Sequence, residues 1–499
     1  MSQQQEAIEQ DALFIGGEWT APQGGGRIAV VSPSSEQQVG SVAEAGAADA
    51  DAAVAAARAA FAARGGWASW EAARRADALD AFADAYERRA GEFARRVSLQ
   101  NGMPIAIASR IEAGIPLAVY RYYAALARAL PAVERRAGVL GGSIDVRRHP
   151  VGVVAAIVPW NFPQTLTAFK LAPALAAGCA IVLKPSPETV LDALLLADCA
   201  RDAGLPDGVL NIVPGGRELG ACLVAHPGVD KVAFTGSTAA GRSIAEVCGR
   251  LLRPVTLELG GKSAAIVLDD AELEGAVEQL FGATLLNNGQ TCFLSTRVLA
   301  PRARYDEVVE LLAALARGLT VGDALDPQTE VGPLATSVQR ERVRGYVERG
   351  RADGARLVAG GGVPAGRECG WFLEPTVFAD VRNDDAIARE EIFGPVLAVI
   401  PYDGEDEAVA LANDSPYGLG GTVWTRDLER GAAVAARMQT GTVGLNAFLL
   451  DPAAPFGGVK ASGLGRELGP EGLAAYQHVQ SIHGVAETTS TAAGQTASV

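Results

Sequence analysis

Lys231-Val232-Ala233-Phe234-Thr235-Gly236-Ser237-Thr238, closed by Gly241, is the stretch of sequence that decides the fold. A short apolar run that ends in Thr, Gly and Ser and continues into a helix-compatible segment predicts a buried strand, a turn and a helix. Gly236 allows close approach of the backbone to a ligand, and free N–H groups at the start of the helix favour a pyrophosphate. Any strand-to-helix turn favours Gly, Ser and Thr. The stretch alone therefore predicts a strand, a turn and a helix, and other motifs are needed to predict a ligand.

The same alternation of strand and helix continues on both sides of this stretch. One set of short apolar segments predicts strands at 151–158, 180–183, 209–213, 231–234 and 255–257, separated by helices at 165–177, 189–203, 218–225 and 239–251. A second set predicts strands at 264–268, 297–300, 396–400, 422–424 and 442–445, with helices such as 305–316 and 428–438. Upstream, 47–63 and 71–99 are helical. This alternation is typical of parallel sheets covered on both faces, so we predict an α/β chain with two Rossmann-like open parallel-sheet domains that meet at 258–262.

Composition and charge narrow the function classes. The 499 residues are 49% hydrophobic and 20% charged, with a formal net charge of −15. This is ordinary globular composition, and its negative charge argues against nucleic acid or an anionic membrane as a partner. Residues 1–10 lack the features of a signal peptide. The uncharged run at 150–169 is interrupted by prolines and polar residues, so it predicts a strand, a loop and a helix start rather than a membrane span.

Cysteine and histidine usage gives no sign of a metal site. The six cysteines form no C-x-x-C pair and the four histidines are not grouped with them, so neither structural zinc nor a disulfide framework is expected. Unpaired thiols fit a reducing cytoplasm, where we expect the protein to reside.

Two segments carry a thiol and a carboxylate in glycine-containing surroundings. Cys292 closes 287–292, and Glu258 opens 258–262. A nucleophilic thiol and a base are the two groups needed to form a thioester and then hydrolyse it. A lone cysteine would more often be a small buried hydrophobe. No histidine lies near Cys292 in sequence, which weakens the alternative of a Cys–His hydrolase.

Two further polar groups follow predicted strands. The prolines of 159–163 fix a loop that holds the Asn161 amide, and such a rigid amide can donate to a developing oxyanion. The alternative is a stiff loop whose Asn only satisfies backbone groups. Lys184 follows the next strand and is well placed for a ribose or a phosphate, although a lysine there could also be a solvated charge.

The ordered set of motifs resembles the aldehyde dehydrogenase superfamily, in its NAD(P)-dependent, non-acylating form. The matching segments are 159–163, 184–186, 234–241, 258–262, 287–292, 391–395, 455–460 and 462–467, and the resemblance covers roughly residues 13–483. It implies that Cys292 is the nucleophile, that Glu258 is the general base, and that Asn161 with the Cys292 N–H holds the oxyanion. Lys170 corresponds to a family lysine near the site, with a role in proton relay.

The resemblance also implies a cofactor, NAD, with NADP possible. The residues that it assigns to cofactor binding are Trp160, Lys184, Ser186, Gly236, Ser237, Gly241, Glu391 and Phe393. The family often has Glu three residues after the lysine that Lys184 matches, whereas this chain has Pro187 there and Glu188 next. That departure leaves the preference for NAD over NADP open. At 100–104 the chain has Gln-Asn-Gly-Met-Pro where many members have Glu-Thr-Gly-Lys, and no function is assigned to this difference.

The substrate is predicted from family positions alone. The channel neighbours expected to contact substrate are Phe162, Phe169, Phe293, Leu450 and Phe456, with Thr165, Leu166, Phe448 and Leu449 beside them. Most are apolar and none is cationic, so we expect an uncharged hydrophobic aldehyde, whether aromatic, terpenoid or medium-chain aliphatic. The alternative is that these residues only form core. A coenzyme-A-acylating enzyme and a non-catalytic family member are the alternative functions, and Glu258 favours hydrolysis over acyl transfer.

The resemblance implies domain boundaries and an oligomer. We expect a cofactor domain at 1–137 and 150–258, a catalytic domain at 259–445, an oligomerisation flap at 138–149 and 476–486, a return to the domain interface at 446–475, and a flexible tail at 487–499. The flap would cover exposed strand edges in a homodimer or homotetramer.

Overall fold

The computed structural model describes residues 7–131 and 133–485. Its strands are β1 Ile8–Gln10, β2 Leu13–Ile15, β3 Glu18–Thr20, β4 Arg27–Val31, β5 Gln38–Ala43, β6 Val133–Ala137, β7 Ser143–Pro150, β8 Val153–Ile157, β9 Ala180–Lys184, β10 Leu210–Ile212, β11 Lys231–Thr235, β12 Val255–Glu258, β13 Ala264–Val267, β14 Arg297–Pro301, β15 Arg356–Ala359, β16 Thr376–Ala379, β17 Val396–Tyr402, β18 Gly420–Trp424, β19 Thr442–Leu445, β20 Gly463–Leu464 and β21 Gln477–Val485. Its helices are α1 Ala47–Ala62, α2 Ala72–Glu87, α3 Ala90–Asn101, α4 Ile105–Ile111, α5 Gly114–Ala129, α6 Pro163–Ala177, α7 Leu195–Asp202, α8 Arg217–Ala225, α9 Thr238–Arg250, α10 Val277–Thr284, α11 Tyr305–Gly318, α12 Ser337–Ala352, α13 Ala386–Arg389, α14 Glu405–Asn413, α15 Leu428–Ala435 and α16 Gly469–Ala474.

The first large sheet is built around β11 and the turn at Gly236 that follows it. Its order is β20-β12-β11-β8-β9-β10-β2-β3, and the five strands from β12 to β10 run parallel. The apolar residues of these strands are buried because α1, α8 and α9 cover one face while α2, α5, α6 and α7 cover the other. Two-sided burial explains why the strands read as continuous apolar runs rather than alternating patterns.

The second large sheet begins immediately after the chain leaves β12. Its order is β15-β16-β17-β14-β13-β18-β19, parallel except for β15. Helices α12 to α15 pack on one face, and α10 and α11 pack on the other. The predicted fold class is therefore confirmed: the chain is α/β with two open sheets of parallel strands and a separate small β unit.

The small β unit is the antiparallel sheet β21-β7-β6. The predicted flap starts at residue 138, but the strand pairing begins earlier, because Val133–Ala137 pairs with β7. Residue 486 and the predicted tail at 487–499 lie outside the described residues. Among those described, no helix combines the length and the apolar character needed to cross a membrane.

Two predicted helices differ from the observed ones in where they begin or break. The helix predicted at 189–203 begins only at Leu195, because the Leu191 N–H and the Asp192 carboxylate are used in hydrogen bonds to Gln100. The helix predicted at 71–99 breaks after Glu87 into α2 and α3. Tyr86 and Phe93 then stack across the break, with ring centroids 4.1 Å apart.

Candidate active site

The predicted polar residues gather at one edge of the first sheet. The loop at 159–163 follows β8, Lys184 ends β9, Gly236 follows β11 and Glu258 ends β12. These four strands are neighbours in the parallel order β12-β11-β8-β9. Ligands of open α/β sheets bind outside the carboxyl ends of the strands, so the topology places these residues where a ligand would bind.

Two loops of the second sheet form the opposite wall. The loop that contains Cys292 leads into β14, and the loop that contains Glu391 leads into the neighbouring strand β17. A Cβ added to Gly260 would overlap the Glu391 carboxylate, and one added to Gly261 would overlap the Cys292 carbonyl. Glycine is therefore required at both positions, because the segment that crosses between the sheets lies directly against the Glu391 side chain and the Cys292 backbone.

Reciprocal hydrogen bonds lock the amide loop to the cysteine loop. Asn161 Nδ2 donates to the Gln290 carbonyl at 3.0 Å, and Asn287 Nδ2 donates to the Asn161 carbonyl at 2.9 Å. Asn161 and Cys292 line the same cavity. An amide has two N–H donors, so Asn161 keeps one for an oxygen bound beside the sulfur.

Two adjoining cavities form a long cleft. The first, of about 580 Å³, extends from Glu188 and Arg217 to the turn at Gly236 and Ser237. The second, of about 320 Å³, shares Trp160, Gly236 and Ser237 with the first and reaches Cys292. Ser237 caps α9, its Oγ accepting from the Ala240 N–H at 3.3 Å. A cleft of this length, with a helix N-terminus halfway along it, fits a dinucleotide whose pyrophosphate sits at the helix.

At the first cavity, the structure brings Lys184 and Ser186 together with Glu188. Lys184 Nζ donates to the carbonyls of Pro185 at 2.9 Å and Gly215 at 2.8 Å. Burial lowers the pKa of Lys184 to about 8, partly offset by the Glu188 carboxylate. The Ser186 hydroxyl donates to the Glu188 carboxylate. Both residues line the first cavity, so Ser186 fixes the Glu188 carboxylate at the end of this cavity.

At the second cavity, Trp160, Glu391 and Phe393 form one wall. The Trp160 ring meets the Phe393 ring edge-on, with centroids 5.3 Å apart. Glu391 accepts from the Gly261 N–H at 3.0 Å, and burial raises its pKa to about 7. The structure does not bring Gly241 to either cavity. The Gly241 N–H donates to the Ser237 carbonyl at 2.9 Å within α9, and Gly241 lines neither cavity, so its role is in the helix.

Cys292 is half-buried at the base of the second cavity. Burial raises the pKa of its thiol, and the Glu391 and Glu258 carboxylates raise it further. The thiolate is the nucleophilic form of a cysteine, so the surroundings of Cys292 favour its less reactive thiol form.

Glu258 belongs to a buried ionisable cluster. It is 2% exposed, and neither carboxylate oxygen accepts a well-formed hydrogen bond from the described residues. Burial raises its pKa well above the usual range and Glu467 adds to the effect, while Lys170 and Arg466 oppose it. Lys170 Nζ contacts Glu467 Oε1 at 2.7 Å and donates to Thr235 Oγ1 at 2.6 Å. A carboxylate with a raised pKa is suited to accept a proton, although Glu258 is not among the residues that line the cavity of Cys292.

The predicted substrate residues form an aromatic cluster beside the cysteine. Phe293 stacks on Phe448 with centroids 4.2 Å apart, and Phe456 meets Phe293 edge-on at 6.5 Å and Phe169 at 6.4 Å. Phe162 and Leu166 belong to the same buried core, with Cys292 and Leu450 packed at its border. The structure does not bring Thr165 or Leu449 to this cluster. The Thr165 hydroxyl donates to the Glu112 carboxylate, and Leu449 is 80% exposed.

Sequence reasoning missed Gln339 and Arg342 of α12, which line the second cavity. Gln339 Nε2 donates to the Phe393 carbonyl at 2.7 Å, and Arg342 Nη2 donates to the Glu391 carbonyl at 2.6 Å. The helix is rich in arginine and reads as a solvated surface helix, so its sequence carries no signal for these contacts. In the part of the chain that the structure describes, no group of three or more His, Cys, Asp or Glu side chains could hold a metal ion.

Comparisons with known proteins agree on one family. The family model described as "Aldehyde dehydrogenase family" matches residues 19–482. Geranial dehydrogenase of Castellaniella defragrans is 56% identical over 476 residues, which is 95% of this chain and 99% of that protein. The crystal structure of Mycobacterium tuberculosis aldehyde dehydrogenase with NAD+ superposes with a TM-score of 0.94 at 47% identity, covering 96% of this chain and 99% of that one. A variant of aldehyde dehydrogenase C from Pseudomonas syringae, in complex with NAD+ and octanal, superposes with a TM-score of 0.92 at 42% identity, covering 95% and 97%.

Proposed function

This chain belongs to the aldehyde dehydrogenase family, and from that premise we propose which of its residues oxidise the aldehyde and which aldehyde it prefers. The protein is an NAD-dependent oxidoreductase that converts aldehydes to carboxylic acids. Neither a coenzyme-A-acylating enzyme nor a non-catalytic member is favoured. The observation that carries the residue assignment is the position of Cys292 and Asn161 in one cavity, at the end of a dinucleotide-sized cleft.

The first half of the reaction uses Cys292 and Asn161. The Cys292 sulfur attacks the aldehyde carbon and forms a thiohemiacetal, and the developing oxyanion takes hydrogen bonds from the free N–H of the Asn161 amide and from the Cys292 N–H. Losing one such donor typically costs roughly 10²–10³ in rate. The bound NAD supplies the hydride acceptor that converts the thiohemiacetal to a thioester.

The second half uses Glu258. Its carboxylate takes a proton from the water that attacks the thioester, which releases the acid and restores the thiol. Burial and Glu467 raise the pKa of Glu258, and Lys170 limits that rise. The net effect of the Lys170–Glu467 pair is to raise the pKa of the base further, and we assign to this buried pair the relay of the proton that Glu258 receives.

The cleft residues would hold NAD in one orientation. Lys184 and Ser186 lie at the end that suits the adenosine ribose, Ser237 lies at the pyrophosphate turn, and Glu391 with Phe393 lies at the end that suits the nicotinamide ribose. Pro187 has no group that could grip the adenosine ribose. Glu188 lines the same cavity, fixed by Ser186, so we assign to Glu188 the repulsion of a 2′-phosphate and hence the preference for NAD over NADP.

The preferred substrate is an uncharged hydrophobic aldehyde. The rings of Phe169, Phe293, Phe448 and Phe456 contact one another in the apolar cluster against which Cys292 packs, and such a surface favours apolar chains over a second carboxylate. The name of geranial dehydrogenase and the octanal bound in the Pseudomonas syringae structure support the same class.

We also propose the assembly and the compartment. Exposed apolar side chains lie at Val479 of the sheet β21-β7-β6 and at Val139 and Leu140 in the turn between β6 and β7. Covering the edges of this sheet in a homodimer or homotetramer would protect them from open-ended pairing. For the cofactor domain, the catalytic domain and the flap we propose the boundaries given by the resemblance, except that the flap begins at Val133, where the pairing with β7 begins. All six cysteines are free, which supports a cytoplasmic protein.

The test is aldehyde-dependent reduction of NAD by the purified protein without coenzyme A. The panel compares octanal, a terpenoid aldehyde and benzaldehyde with succinate semialdehyde, and free acid is quantified. The proposal requires turnover with the hydrophobic members and its loss in Cys292→Ala. A strong preference for succinate semialdehyde would overturn the substrate assignment, and turnover only with coenzyme A would overturn hydrolysis.

A further inference from the structure

The C-terminal end of α3 contacts both catalytic loops. Asn101, the last residue of α3, donates from Nδ2 to the Trp160 carbonyl at 2.6 Å. The next residue, Gly102, offers its carbonyl to Asn288 Nδ2 at 2.9 Å. Trp160 belongs to the loop of the oxyanion donor, and Asn288 belongs to the loop of the nucleophile, so one helix end bridges the two.

The contact with the nucleophile loop is tightly specified. Asn288 has a left-handed backbone with φ of +59°. Its side chain also donates to the Pro333 carbonyl at 2.9 Å and accepts from the Gly332 N–H at 2.7 Å. Gly102 has φ of +84°, and a Cβ there would lie 2.7 Å from the Pro333 carbonyl oxygen. Only glycine fits this position without strain, so the helix end is seated against both loops.

The helix end is itself anchored away from the loops. Gln100 accepts from the Leu191 N–H at 2.9 Å and donates to the Asp192 carboxylate. Asp192 also accepts from Gln164 Nε2, in the first turn of α6. Gln100 and Asp192 are buried, and satisfied buried networks rigidify their surroundings. The position of Asn101 is therefore fixed by the hydrogen bonds of the neighbouring Gln100 and not by the loop that Asn101 contacts.

The Trp160 carbonyl is an effective place to hold Asn161. It belongs to the planar peptide unit whose nitrogen is that of Asn161, so fixing the oxygen fixes the start of the Asn161 backbone. Asn287 holds the next peptide unit by donating to the Asn161 carbonyl at 2.9 Å. The two contacts clamp Asn161 on both sides and leave its amide little freedom to move away from Cys292.

We propose that Asn101 is a positioning residue for the Asn161 amide, and hence for the oxyanion, and that it acts through the Trp160 carbonyl. The proposal rests on the assignment of Asn161 in the proposed function. A displacement of about 1 Å at a reacting centre can cost roughly 10²-fold in rate. We therefore expect Asn101→Ala to lower kcat roughly 10- to 100-fold, with the KM for the aldehyde changed much less because the substrate cluster is not touched.

The experiment measures the NADH-forming step in a single turnover, together with kcat, KM and the melting temperature. Asn101→Asp keeps the size of the side chain and replaces the donor by a carboxylate that repels the Trp160 carbonyl, so it tests the same contact if Asn101→Ala fails to fold. Ser98→Ala is the matched control. Ser98 is a buried polar residue of the same helix whose hydroxyl has no partner among the described residues, and its loss should leave kcat unchanged.

A double variant separates positioning from general packing. If Asn101 acts through Asn161, then Asn101→Ala combined with Asn161→Ala should be no slower than Asn161→Ala alone. Multiplied losses in the double variant, or a wild-type kcat in folded Asn101→Ala and Asn101→Asp, would overturn the proposal. Failure of the proposed function would look different, because the unmodified protein would then show no aldehyde-dependent turnover.

Discussion

Replacing Lys170 by Met should destabilise the protein and slow acid release together. Lys170 and Glu467 are 0% and 1% exposed and form an ion pair at 2.7 Å. Removing one partner of such a pair leaves an uncompensated buried charge, at a cost of about 3–5 kcal/mol in the free energy of unfolding. Lys170 also lowers the pKa of Glu258, so its loss raises that pKa and leaves less of the base ionised at neutral pH.

The matched variant is Lys170→Met combined with Glu467→Leu. It removes both charges, and replacing a buried pair by apolar groups of similar volume is often neutral or stabilising, so it should recover most of the lost stability. Glu467 raises the pKa of Glu258 more than Lys170 lowers it. The pKa of Glu258 should therefore be lower in the double variant than in the wild-type protein, whereas in Lys170→Met it should be higher than in the wild-type protein.

Two assays check the direction of the expected changes in the free energy of unfolding and in the pKa of Glu258. Denaturant unfolding gives the free energies, and the rate of thioester hydrolysis against pH, measured after a single turnover, gives the apparent pKa of the base. The reasoning is wrong if the double variant is no more stable than Lys170→Met, or if both variants shift the pH profile in the same direction.

Three further substitutions test the base and the carboxylate and lysine groups of the first cavity. A Cβ at Gly457 would lie 2.5 Å from Glu258 Oε1, so Gly457→Ala should displace the base and slow acid release roughly 10²-fold while the initial burst of NADH, followed by stopped flow, is kept. Burial lowers the pKa of Lys184 to about 8, so its charge is present below that pH and is lost as pH rises through it. The Kd for NAD measured by calorimetry should therefore increase above pH 8, and Lys184→Met should abolish this dependence. Glu188→Gln removes the carboxylate held by Ser186 and should raise kcat/KM for NADP about tenfold, since a like-charge contact of about 1.4 kcal/mol is lost; an unchanged ratio of NADP to NAD would assign the preference elsewhere.

The sheets and the main chemistry could be predicted because their signals are local. Strands buried on both faces read as apolar runs, so the run at Lys231–Thr235 could be recognised without its neighbours. Cys292, Glu258 and Asn161 each lie in a segment whose glycines or prolines mark an unusual backbone. Gly260 and Gly261 illustrate the reason, since a Cβ at either would overlap the opposite wall.

The remaining features depend on contacts between distant segments. Gln339 and Arg342 reach the cleft from a helix whose composition is that of a solvated surface. The late start of α7 depends on Gln100, nearly a hundred residues earlier in the chain. The departure at 100–104 could not be interpreted from sequence for the same reason. Within that segment, Asn101 contacts the Trp160 carbonyl, and this contact exists only when α3 packs against the loop after β8.

The most direct test of the account is the intact mass of Glu258→Gln after mixing with NAD and octanal. If Cys292 forms the thioester and Glu258 hydrolyses it, the variant should accumulate one acyl group, with the mass of octanal less two hydrogens. Peptide mapping should place this group on Cys292, and the adduct should be absent when Cys292→Ala is added. Normal turnover of Glu258→Gln without an adduct, or an acyl group on another residue, would contradict the account.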